Sequence, residues 1–220
     1  MNIKKGLWTL FISLILISAG CSQGSDSSGK NEGHAEKMDH SQHTMPQKEI
    51  KVYENGRVIE LEQEAPVIKL TDQSGKTVTN ESLKGKAVLI NFIYTSCDES
   101  CPIMVHKFMD IAKEMKGDLG KNLVLLSITM DPERDSVEAL KTYAEKMKAD
   151  TSYWSFLTGD KDVVAKTLKD FNFFYQKNED GSFGHGNSII LLDKRGVWKY
   201  TFNVLTVPVD IAVEWIKKEI

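Results

Sequence analysis

The sequence predicts an α/β domain, a central mixed sheet flanked by helices. Three observations predict it. Two nearly continuous apolar runs, Ala87 to Tyr94 and Leu123 to Met130, read as strands buried on both faces. Each is followed by a stretch with helical spacing. Late in the chain, Asn187 to Leu192 and Val197 to Asn203 flank Asp193-Lys194-Arg195-Gly196 and read as a β-hairpin.

In order, Val58 to Leu61 and Ile68 to Leu70 form an N-terminal strand extension, the second closed by the turn Asp72-Gln73-Ser74-Gly75. After the first buried strand, Cys101 to Lys116 places Met104, Phe108, Ile111 and Met115 near one helix face. After the second, Asp135 is positioned to cap a helix, with Glu138 in the capping-box position. That helix carries Val137, Leu140, Tyr143 and Met147. Trp154 to Leu157 is a short strand, and Asp160 caps the helix holding Val163, Val164 and Leu168. Val209 to Ile220 is an amphipathic helix with Pro208 near its start. A cysteine pair where the first buried strand enters its helix makes the predicted domain thioredoxin-like.

The 220 residues divide into three parts. Residues 1–20 read as an export signal: Lys4 and Lys5, the eleven-residue apolar run Leu7 to Ile17, then Ser18, Ala19 and Gly20 before Cys21. The apolar run is too short to span a membrane comfortably. A cysteine directly after a small-residue cleavage site resembles the lipobox of bacterial lipoproteins, which implies lipid modification of Cys21 and an anchor on the extracytoplasmic face of the cell membrane. Residues 21–50 read as a flexible tether of Ser, Gly, Lys, Glu and Gln, too polar to build a core. Within it, HAEKMDHSQHTM gathers His34, Met38, His40, His43 and Met45, donors that suit copper in both oxidation states and give the tether a second, weaker copper-collecting role. Residues 51–220 form the folded domain. The net charge of −3 argues against a nucleic-acid partner, and three cysteines are too few for a disulfide-stapled scaffold.

The chemistry concentrates in YTSCDESCPIM. Cys97 and Cys101 stand four apart, and Pro102 suits a helix start. Helix N-terminal N–H groups favour thiolate, which serves either disulfide exchange or a soft metal such as Cu(I). A purely structural bridge over so few residues gains little chain entropy. Thioredoxin-type enzymes separate their cysteines by two residues; here three intervene, Asp98, Glu99 and Ser100. None of Pro46, Pro66, Pro102, Pro132 and Pro208 precedes the strand near Asn187, where such enzymes place a proline. His185 occupies that loop, in FGHGNSIILLD, facing the cysteine helix. Two sulfurs and one imidazole make a metal site suited to Cu(I) and Cu(II). His106 falls on the opposite side of the helix and reads as a surface residue. A peroxiredoxin reading fails on spacing, since Thr95 precedes Cys97 by only one intervening residue.

The segments GKAVLINFIYTSCDESCP, SITMDPERDSVEALKTYAEKM and WSFLTGD, and the His185 stretch running into IILLDKRG, resemble the Sco/SenC family of copper proteins involved in cytochrome c oxidase assembly. The resemblance covers about residues 61–220. It implies Cys97, Cys101 and His185 as copper ligands and Cys97/Cys101 as a redox-active disulfide pair. It also implies delivery of copper to the binuclear centre of oxidase subunit II, loading by a copper donor protein, or a thiol–disulfide reductase role toward the oxidase cysteines. Two departures stand out: the family has proline after each cysteine, whereas Asp98 follows the first, and Gly186 replaces the usual Ser or Thr after the histidine. The DPERD segment, Asp131 to Asp135, matches the family too; it has two readings, carboxylates that assist the site and, the stronger, a strand-to-helix turn with a cap.

Overall fold

The computed structural model describes residues 50–53, 56–97, 100–203 and 205–220. The signal, Cys21, and tether residues His34, Met38, His40, His43 and Met45 lie outside them. The chain runs β1 (Ile50–Tyr53), β2 (Gly56–Glu64), β3 (Lys69–Asp72), β4 (Thr77–Thr79), α1 (Asn80–Leu83), β5 (Ala87–Ile93), α2 (Ser100–Glu114), β6 (Leu123–Thr129), α3 (Val137–Lys146), β7 (Trp154–Thr158), α4 (Lys161–Asp170), β8 (Tyr175–Lys177), β9 (Phe183–His185), β10 (Ser188–Leu192), β11 (Val197–Asn203) and α5 (Val209–Glu219).

Nine strands form one sheet in the order β1-β2-β11-β10-β5-β6-β7-β3-β4; β8 and β9 form a second, two-stranded sheet. The parallel centre is β5, β6 and β7, with Ala87 opposite Leu123 and Leu125 opposite Trp154. Every residue of β5 is buried, as a strand covered on both faces must be. By contrast, β11 alternates buried and half-buried positions. The hairpin β10–β11 turns at Asp193 to Gly196, where Gly196 has φ +83° and Asp193 accepts from the Arg195 and Val197 N–H groups. β10 lies antiparallel to β5 with Ile190 opposite Ile90, so the start of β10 stands beside the end of β5.

α2 and α5 pack together, α3 packs on β7, and α4 packs near β3. Met104, Phe108, Ile111 and Met115 are all buried, as their spacing predicts. This is the thioredoxin-like mixed sheet expected from the sequence, with β2 and β1 extending it beyond β11.

Two local expectations need correction. The cap of α3 is Ser136, whose hydroxyl accepts from the Ala139 N–H at 3.2 Å; Asp135 points into the interior instead. The stretch before His185, read as loop, is the β8–β9 hairpin, with Gln176 opposite Gly184. β4 and α1, three and four residues long, are additional elements that the sequence pattern does not announce.

Candidate metal centre

The site is built at the carboxyl ends of the parallel strands. β5 ends at Ile93, and the chain turns through Tyr94, Thr95 and Ser96 to Cys97, whose N–H donates to the Tyr94 carbonyl at 3.2 Å. Cys101 is the second residue of α2, and its backbone N–H donates to Cys97 Sγ at 3.4 Å. A helix-terminal donor thus points at one of the two sulfurs. Neither cysteine is in a disulfide; Cys101 is fully buried and Cys97 is 6% exposed.

His185 ends β9, opposite Tyr175, half-buried. Its Nδ1 lies 2.8 Å from the Gly186 carbonyl oxygen. A carbonyl only accepts, so in this contact Nδ1 carries the hydrogen, which leaves the Nε2 lone pair available to a metal. The orienting bond that a Ser or Thr side chain would supply after the histidine comes here from the main chain of Gly186. One donor atom from each of Cys97, Cys101 and His185 lies within 4.8 Å of the other two. Three donors around an ion bound at about 2.0–2.3 Å stand roughly 3.3–4.0 Å apart. The three donor atoms are close to that spacing, and their chemistry fits a soft, borderline metal. His106, by contrast, is exposed on α2, as its spacing predicts.

The thiolate expectation needs revision. Burial pushes the Cys101 thiol well above the ordinary range, and the hydrogen bond from the Tyr94 backbone only partly opposes it. A helix terminus stabilises a nearby charge by up to about 2 kcal/mol. Removing an ion from water costs several kcal/mol. In metal-free protein the proton therefore stays on Cys101, and an incoming soft cation must displace it, so binding strengthens as pH rises.

Two neighbours complete the surroundings: Tyr94, which sequence reasoning missed, and Asp135, which it read mainly as a helix cap. Tyr94 is 6% exposed; its ring stands edge-on to His185 at 6.0 Å and meets Phe183 at 5.0 Å. Burial first, and a hydrogen bond with Cys97 second, hold its phenol up to about 12. Its position just before TSC at the end of a buried strand was the available signal. The second is Asp135, 1% exposed, which accepts from the Thr95 N–H at 3.1 Å, the Thr95 hydroxyl at 2.6 Å and the Thr129 hydroxyl at 2.5 Å. Burial raises its pKa against these bonds. It pins the strand end that leads into Cys97.

Known proteins share this fold. The chain is 31% identical over 150 residues to the SCO1 protein homolog of Bacillus subtilis, covering 66% of this chain and 77% of that one. A SCO1/SenC family lipoprotein from Bacillus anthracis aligns at TM-score 0.67 and 29% identity, over 73% of this chain and 96% of that structure. ScoI of Bradyrhizobium japonicum, solved with copper bound, aligns at TM-score 0.63 and 29% identity, over 71% and 99%. BsSco, described as having a disulfide switch and as a member of the Sco family of cytochrome c oxidase assembly proteins, aligns at TM-score 0.64 and 29% identity, over 73% and 95%. Residues 60–220 match the SCO1/SenC family as a whole, and the chain belongs to that family.

Proposed function

We propose that this chain is an anchored copper chaperone, which receives copper from a donor protein on the outer face of the cytoplasmic membrane and passes it to the binuclear copper centre of cytochrome c oxidase subunit II. The observation that carries the reading is the convergence of Cys97, Cys101 and His185 within 4.8 Å. Two thiolates and an imidazole hold copper in either oxidation state. Three protein donors leave room for a ligand from the recipient, which transfer by ligand exchange requires. The copper-bound ScoI relative and the oxidase-assembly description of BsSco support the same reading.

Copper titration of the reduced protein tests it. Cys97→Ala, Cys101→Ala and His185→Ala should each weaken binding by more than the roughly 10–100-fold that loss of an outer-shell partner costs. Unchanged affinity in His185→Ala defeats the three-ligand assignment. A chain lacking residues 34–45 should bind fewer coppers at excess metal; an unchanged count removes the tether's collecting role.

A second reading, reduction of the oxidase's own cysteines, is favoured by one observation. No disulfide joins the site cysteines, and Cys97 Sγ stands against the Cys101 backbone, close enough for disulfide chemistry. His185→Ala separates the two roles, because dithiol exchange does not use the imidazole and should survive the substitution.

A further inference from the structure

His185 is carried by a hairpin that cannot hold itself. β8 and β9 are three residues each, and a two-stranded hairpin is at best marginal alone in water. Its last residue must nevertheless stand within 4.8 Å of two sulfurs. On the inner side Phe183, 8% exposed, plugs the hairpin against the Tyr94 ring at 5.0 Å. On the outer side a polar strap arrives from the turn after β6.

The centre of the strap is Asp131, a carboxylate only 2% exposed. It pairs with the Arg134 Nε and, at 3.4 Å, with Lys177 Nζ on β8. The Arg134 guanidinium also donates to the Gly181 carbonyl at 2.5 Å, in the hairpin turn. Gly181 has φ +82°, and a Cβ there would stand 3.4 Å from Arg134 Nη1, so glycine suits both the turn and the approach. Lys177 lies 3.6 Å from Glu133 as well. Both cations stand over the Phe183 ring, 5.9 Å and 5.5 Å from its centroid. One buried carboxylate therefore ties both the tip and a strand of the hairpin. The Asp131 N–H donates to the Thr129 hydroxyl, which donates to Asp135, which holds Thr95 two residues before Cys97. The cysteine turn and the histidine hairpin thus hang on the same DPERD segment.

We infer that Asp131, Arg134 and Lys177 are positioning residues that set where the His185 imidazole stands relative to Cys97 and Cys101. This rests on the reading of those three as copper ligands. Arg134 and Lys177 are each more than two-fifths exposed, but Asp131 is buried, so removing both cations leaves its carboxylate unpaired and lowers global stability as well. Their specific effect is on the placement of the hairpin.

The test uses the full chain in reduced form and measures copper affinity, the sulfur-to-Cu(II) absorption and the thermal midpoint of metal-free protein. Arg134→Gln/Lys177→Gln should bind copper about 10-fold more weakly and shift the absorption band. The midpoint should fall, because Asp131 loses both partners, so affinities are compared well below it; the rate of Cys97–Cys101 disulfide formation should stay at the wild-type value. Lys177→Arg, which keeps the pairing with Asp131, should bind as wild type. In a His185→Ala background the double substitution should add nothing, because it acts through the histidine. Wild-type affinity in the double variant, or the same loss with His185 absent, overturns the strap. If His185→Ala alone leaves affinity unchanged, the ligand assignment fails first, and the strap with it.

Discussion

Cys101 shows how one residue can carry opposing physics. Its place on the first turn of α2 favours thiolate, while its complete burial favours thiol, and burial wins. The sign for stability follows. The unfolded chain loses this proton near the ordinary thiol pKa, about 8.5, while the folded protein keeps it. Stability from Cys101 is thus fully present below that pH and is lost as pH rises, with a slope of about 1.4 kcal/mol per pH unit. Thermal unfolding of reduced, metal-free protein between about pH 8.5 and 9.5, below the unfolded-state tyrosine pKa of about 10, should show this contribution. Cys101→Ser should remove it, and equal slopes in the two proteins would refute the assignment. The three ligands were legible in the sequence because sulfur and imidazole are rare and chemically distinctive. Tyr94 was not, since a tyrosine ending a buried strand looks like any core residue until its hydroxyl is seen beside Cys97.

At the scale of elements, the β6–α3 turn separates roles that the sequence merges. Asp135 and Ser136 are both residues that cap helices, and adjacent cap candidates cannot be told apart by type. Only the direction of the chain leaving β6 sends Asp135 inward to Thr95 and Thr129 and leaves Ser136 to cap. Ser136→Ala should therefore cost about 1 kcal/mol, as an ordinary cap does. Asp135→Ala strands three donors in the interior and should cost on the order of 3 kcal/mol or more. Urea denaturation of the two variants checks the order, and a reversed order would return the cap to Asp135. The long helices and buried strands were legible because each presents several turns or residues of one period. β8 and β9 were not, because three residues do not establish an alternation.

For the whole molecule, the sheet order brings the site together. β5 and β6 run parallel, so the Cys97 turn and the DPERD turn leave from neighbouring carboxyl ends, where ligands bind in open α/β sheets. β10 returns antiparallel on the other side of β5, and its register delivers His185, three residues before it, to the same rim. Among the described residues no helix is long and apolar enough to cross a membrane. The proposed anchor is Cys21, which lies outside them. Cells given radiolabelled fatty acid should label the wild-type protein and not Cys21→Ala; label surviving that substitution rejects the lipid anchor. The sequence by itself determined the α/β class, the main strands and helices, and the identity of the three candidate ligands, since periodicity and donor chemistry are local properties. Only the tertiary structure decided how Cys97, Cys101 and His185 meet, that Gly186 orients the imidazole through its carbonyl, and that the DPERD segment ties the cysteine turn to the histidine hairpin. Those are distances between residues far apart in the chain, set by strand order and register, which no local pattern encodes.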